Sequence, residues 1–362
     1  MNATVAHIVY GISGEGSGHS SRAREILNHL QSRGHQVKVA TYDRGYRNLQ
    51  HDFDCLEIAG LTIVSRDNQV SPLRTLIHNL AAIPSGKKSL ATVRHHLFKA
   101  FTPDCVVTDF EPMTAYLAHH YDIPLITLDN QHRLRYMVYP CPKRYKKDAL
   151  LTEALIRAMV PKPDVSLITT FYFDVLKNTC SFLFPPILRQ AVLQLQPTQG
   201  DHVLVYVTAG FESLLDELSK FTREQFWVYG YERNDRVGPL QFKPFSQDGF
   251  LQDLAAAKGV IATAGFTLIT KSLYLGKPYL VLPMSGQFEQ IINSLMLSKL
   301  GYGCHALRLD RNTVAAYLYH LPEYAAALDT YDRQGNQAIT RKLDALLADD
   351  CRELRTFHEH RR

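Results

Sequence analysis

The sequence predicts an α/β chain of two doubly wound parallel-sheet domains facing a cleft. Three observations predict it. Strand-like and helix-like segments alternate with short links through most of the 362 residues. Each half carries a strand that ends in small residues and feeds a helix: Gly14-Glu15-Gly16-Ser17-Gly18-His19 in the first, Ala264-Gly265-Phe266-Thr267 in the second. A polar, turn-rich stretch at 194–201, preceded by Pro185-Pro186, separates the halves. A chain this long exceeds one ordinary core and suits two.

In the first half, 6–10 is a short apolar run bounded by Gly11. Residues 20–33 place Ala23, Ile26, Leu27 and Leu30 at helical spacing, and Gly34 closes that helix as a C-cap glycine does. A strand follows at 37–41. Residues 73–101 read as helical, interrupted at Pro84-Ser85-Gly86, then 104–108 as a buried strand, 113–121 as a helix and 124–128 as a strand. The second half restarts the pattern. Strands are predicted at 203–207, 225–229, 259–263 and 279–283, and helices at 211–220, 249–257, 268–275 and 288–300. The expected organisation is a Rossmann-like domain over 1–185, a linker at 186–200, a second Rossmann-like domain over 201–335 and a helical tail over 336–362.

Composition excludes several classes. With 46% hydrophobic and 21% charged residues the chain is globular, and no apolar run reaches the ~20 residues of a membrane span. The first residues lack a charged n-region and lead straight into a strand, so a cytoplasmic protein is expected, at most peripheral on the inner face of the membrane. None of the six cysteines forms a Cys-x-x-Cys pair, which argues against a zinc ribbon or redox motif. A net charge of +5 suits anionic ligands or an anionic membrane face and is too weak to indicate nucleic acid.

A strand feeding a helix through small residues leaves backbone N–H groups free for phosphate. The first turn is close to the dinucleotide fingerprint G-x-G-x-x-G, but His19 stands where the third glycine belongs, and no Gly-Lys-Ser/Thr of a P-loop follows. A histidine held at a helix start is a sensible general base, against the alternative of a solvent-facing residue. Asp109 and Glu111 end one predicted strand and Asp129 the next, where they could orient His19, act as base, bind acceptor hydroxyls or cap a helix. In the second half, Gly265, Phe266 and Thr267 open a helix. Gln287, Glu289, Gln290 and Asn293 crowd the start of another, at the strand end where open sheets bind ligands, and such groups grip sugar hydroxyls. Asp52-Phe53-Asp54 and the histidine pairs lack a coherent ligand set, so no metal and no cofactor is expected.

These stretches together resemble a two-lobed GT-B glycosyltransferase, of the branch with the MurG-type and UDP-glucuronosyltransferase-like enzymes of bacteria and archaea (family 28-like). The resemblance spans nearly the whole chain. It implies a nucleotide-sugar donor, a lipid-linked or glycan acceptor, and metal-independent inverting transfer. Gly16 and Gly18 match the family's first glycine loop. Residues 264–267 through 287–290 match its donor segment, Phe245 stands where a loop contacts the base, and Thr208 and Gly210 match a loop near the donor phosphates. Lys271 stands where many members carry a ribose-binding Glu; a cation accepts no ribose hydrogen bond and suits a phosphate instead. A nucleotide-sugar 2-epimerase and an inactive nucleotide-sugar-binding paralogue share the fold. Residues 133–147 hold six basic side chains and no acid, ahead of an apolar helical run at 149–160. That pairing suits an anionic membrane surface or a lipid-phosphate acceptor, against the alternative of a solvated loop joined to a core helix.

Overall fold

The computed structural model describes residues 5–60, 65–66, 69–70, 83–207, 210–284, 286–306 and 310–361. It divides into two compact units, one formed by Met1–Val64, Ser71–Arg189 and Gln334–Arg362, the other by Ser65–Val70 and Gln190–Arg333. The described residues of 65–70 form a small antiparallel ribbon, Ser65–Arg66 with Gln69–Val70.

The N-terminal unit is built on strands β1 His7–Ile12, β2 Gln36–Thr41, β3 Cys55–Glu57, β4 Cys105–Asp109, β5 Leu125–Asp129, β6 Val165–Thr169 and β7 Ser181–Phe184. They form one all-parallel sheet in the order β3-β2-β1-β4-β5-β6-β7. Alternation within β1 explains why the sheet is covered twice. Ile8, Tyr10 and Ile12 join a core with Ala23, Ile26, Leu27 and Leu30 of the Ser17–Ser32 helix, whereas Val9 joins a second core with Val93, Leu97 and Ala118. Gly34 ends the Ser17–Ser32 helix at φ 86°, its N–H bonded to Gln31 O and that of His35 to Leu30 O.

The tail, expected as an element of its own, belongs to this unit. Ile339, Leu343, Leu346, Leu347 and Leu354 of Gln337–Arg361 complete the first core. Of the long helical run predicted over 73–101, part lies outside the described residues. The described part is the helix Ile83–Val93 continued by a π-helical turn, Arg94–Lys99, so the Pro84-Ser85-Gly86 break falls in a first turn, where proline is tolerated.

The second unit repeats the design with β8 His202–Tyr206, β9 Gln225–Tyr229, β10 Arg236–Val237, β11 Leu240–Phe242, β12 Gly259–Thr263, β13 Tyr279–Leu282 and β14 Gly303–His305. The order is β10-β11-β9-β8-β12-β13-β14, with only β10 antiparallel. In each sheet the chain reverses direction across the sheet at one pair, β1/β4 and β8/β12. Open α/β sheets bind ligands beyond the carboxyl ends of such a pair.

Candidate active site

In the N-terminal unit that position holds a buried ionic cluster. The Ser17–Ser32 helix follows β1 and starts at Gly16, whose φ of 77° suits glycine and which brings no side-chain cap. Gly14 is needed for another reason: a Cβ there would lie 2.1 Å from the Tyr42 carbonyl oxygen. His19 stands in the helix's first turn. Its Nδ1 lies 2.7 Å from Asp109 Oδ1, at the end of the neighbouring β4, where Ile12 and Asp109 are register partners. Arg22, one turn after His19, donates from Nε to Asp109 Oδ2 at 2.6 Å and from NH2 to Oδ1 at 2.5 Å; its NH1 donates to Asn130 Oδ1 at 2.8 Å. Asp109 is fully buried and Arg22 nearly so. Burial works against the Asp109 carboxylate, but the Arg22 charge, then His19 and their hydrogen bonds, hold its pKa below the usual range. Arg22 NH2 also lies 2.8 Å from His19 Nδ1. With Asp109 ionised, Nδ1 carries the proton and donates to it, and Arg22 NH2 serves the carboxylate rather than the ring. Nε2 is then the basic nitrogen of a ring that keeps 11% of its side chain exposed.

Glu111 does not join this cluster. It is the N-cap of Pro112–His120 and accepts from Met113 N at 2.7 Å, Thr114 N at 2.8 Å and Thr114 Oγ1 at 2.6 Å. Both oxygens are engaged and the residue is buried, so the expectation of a base or acceptor-binding carboxylate is corrected to a helix cap. Capping, weighed for Asp109, falls two residues later. Asp129 makes a separate pair, its Oδ2 2.7 Å from His132 Nδ1 and its Oδ1 accepting from His132 N at 2.9 Å.

In the second unit the Phe266–Tyr274 helix follows β12 from an N-cap, Gly265, that offers no side-chain hydrogen bond. Gly265 has φ −66°, which any residue adopts, and a Cβ there would meet nothing within 4 Å. Lys271 lies in the last turn of that helix. Of the four polar residues near the next helix, two serve the fold. Gln290 accepts from Met284 N at 3.1 Å and donates to Gln287 at 2.5 Å, and buried Asn293 donates to Ala264 O at 3.0 Å. Gln290 thus braces the loop as well as standing beside it. Gln287, the N-cap, and Glu289 in the first turn stay partly exposed. Phe245 is 51% exposed at the edge of an aromatic group with Tyr206 and Phe250. Gly210 N–H donates to the exposed Glu212 carboxylate at 3.0 Å; Thr208 lies outside the described residues.

A family model described as glycosyl transferase family 1 matches residues 6–322. The chain belongs to that family. It is a glycosyltransferase with the GT-B fold. An uncharacterized glycosyltransferase of Methanosarcina mazei is 24% identical over 335 residues, covering 82% of this chain and 84% of the relative. Among solved structures, the calicheamicin glycosyltransferase CalG4 is similar with a TM-score of 0.67 at 14% identity, over 95% of this chain and 98% of that one. LpCGTa in complex with UDP has a TM-score of 0.65 at 17% identity, over 95% and 99%.

Sequence reasoning about this glycosyltransferase missed Arg22. The signal for Arg22 was its place one turn after His19, on the same helix face. Asn130 follows Asp129 at a strand end that the sequence marks, but only long-range pairing brings it to Arg22. A cavity of about 560 Å³ in the second unit is no rival site. Lined by Thr198, Lys277 and Arg333, it lies at the amino ends of the strands. There Lys277, its pKa pushed down to about 8 by burial, bonds the Thr198 carbonyl.

Proposed function

We propose that the enzyme moves a sugar from a nucleotide-sugar, UDP-linked by preference, to a hydroxyl of a lipid or glycan acceptor by inverting displacement. The observation that carries the reading is the His19–Asp109 pair at 2.7 Å, with the carboxylate clamped by Arg22. His19 Nε2 takes the acceptor hydroxyl proton as that oxygen attacks the anomeric carbon. The bond from that carbon to the diphosphate oxygen breaks, and the nucleoside diphosphate leaves with the electron pair. Asp109 fixes the tautomer and stabilises the imidazolium that forms. A single displacement inverts the anomeric centre.

The second unit supplies the donor groups. First-turn N–H groups at Phe266 and Thr267, with Lys271, meet the diphosphate charge, so the reading assigns no metal to the step. Gln287 and Glu289 address sugar hydroxyls, and the exposed Phe245 ring offers the base a stacking face. The UDP bound to the similar LpCGTa supports the nucleotude assignment.

The test is a thermal-shift panel of nucleotide-sugars followed by turnover measurements. A UDP-sugar should raise the melting temperature of wild type and His19→Ala alike. With a responsive acceptor, His19→Ala should release nucleoside diphosphate about a hundredfold more slowly or worse. Unchanged turnover removes His19 from the role, and a panel without any shift refutes the donor reading.

A further inference from the structure

The helix Lys146–Met159 wears its apolar stripe outward. Leu150, Leu151, Ala154, Leu155 and Ala158 recur at the spacing of one helix face, and all are exposed. Leu150 is 69%, Leu151 70% and Leu155 50% exposed, whereas Ile156 is the helix's one buried residue. A surface helix of a globular protein turns such a stripe inward, so this is not the core helix that sequence alone allowed. Basic side chains surround the stripe. Lys143, Arg144, Lys146 and Lys147, all exposed, stand at its start, and Arg157 flanks it, bonded to Glu153 at 3.0 Å. Exposed Val138 and Val175, joined by a backbone hydrogen bond at 2.8 Å, lie on the segments leading into and past the helix.

We propose that this helix lies in the headgroup region of an anionic lipid bilayer, its leucines among the upper acyl chains and its lysines and arginines on lipid phosphates. An outward apolar stripe, a basic collar and about 21 Å of helix are the properties of an in-plane interfacial element. The charge decides the occupant: five basic side chains against two acidic ones over 143–159 are matched by anionic lipid, whereas a second copy would present the same positive helix. The docking is independent of the transfer chemistry. The chain from Asn130, which Arg22 holds, runs through the Arg133–Tyr136 helix directly into this segment.

The experiment is co-sedimentation of the full chain with vesicles of phosphatidylcholine alone or mixed with phosphatidylglycerol, without donor or acceptor. Mixed vesicles should bind and pure phosphatidylcholine should bind far less. Lys146→Gln with Lys147→Gln should weaken binding about 30-fold, at roughly fivefold for each charge near the surface. Leu150→Ser, Leu151→Ser and Leu155→Ser together should abolish it with the melting temperature kept, since these side chains are exposed. Wild type that ignores mixed vesicles, a triple variant that binds like wild type, or a lipid-free dimer that the triple variant dissolves would each overturn the proposal. Vesicle binding without turnover would count against the site's reading alone, and turnover without vesicle binding against the docking alone.

Discussion

Removing Arg22 tests the buried cluster most directly. Asp109 is fully buried and accepts three hydrogen bonds, two of them from the Arg22 guanidinium. Arg22→Met takes away the compensating charge and leaves the carboxylate to His19. Breaking a buried ion pair from one side costs about 3–5 kcal/mol. At about 2–4 °C per kcal/mol for a domain of this size, the melting temperature should fall by about 6–20 °C. Arg22→Met with Asp109→Leu removes both charges, and apolar replacements of a buried pair are neutral or stabilising, so the double variant should recover most of the loss. It should not recover turnover, because His19 has lost the group that fixes its tautomer. Calorimetry and turnover at pH 7 read both quantities. The pH is safe: the Asp109 pKa is depressed by folding, so its contribution is complete above the unfolded value of about 3.9 and is lost only as pH falls through the lower folded one. A single variant as stable as wild type, or a double variant as unstable as the single, would refute the reasoning.

Two further substitutions separate structure from chemistry. Glu111→Gln should cost about 1 kcal/mol through the weakened cap and leave turnover per folded molecule intact; a hundredfold drop would return Glu111 to the reaction. Phe245→Ala should raise donor KM about 5–150-fold, the loss of about 1–3 kcal/mol of base stacking, at unchanged kcat and melting temperature. An unaltered KM would place the base elsewhere.

The parallel-sheet plan was legible because buried parallel strands read as apolar runs and their helices carry a different period. β9 and β12 match the predicted spans 225–229 and 259–263 residue for residue. The shortest strands, β3, β10, β11 and β14, hold two or three residues, too few to show a period. The helical spacing of Ile339, Leu343 and Leu347 is visible in the chain, but the helix beside it, Ser17–Ser32, whose His29 lies 2.7 Å from Asp344, stands over three hundred residues upstream and leaves no local trace. The same limit governs the site. Asp109 and Glu111 stand two apart at one strand end and look alike in sequence. Register separates them: Asp109 ends the strand opposite Ile12 and meets the helix after β1, whereas Glu111 has turned into the next helix and caps it. Asn293 looked like a sugar ligand because loops that hold ligands are themselves built with amides.

The ionic cluster also bears on why the fold keeps it. A buried Arg–Asp pair is weak evidence for stability, since an apolar pair of similar volume would hold β4 to the Ser17–Ser32 helix as well or better. Its benefit must therefore lie in what charge does and methyl groups cannot. An ionised Asp109 holds the proton on His19 Nδ1, and only an ionised Asp109 can stabilise the imidazolium left when Nε2 accepts a proton. Arg22 keeps that carboxylate charged in a place where burial alone would protonate it. Sequence rules for a well-packed core fail at His19, Arg22 and Asp109 together, within one hydrogen-bonded group, and such concentrated failure is expected where a fold gives up stability for chemistry. An apolar double variant that still transferred sugar at the wild-type rate would leave the charges without a reason.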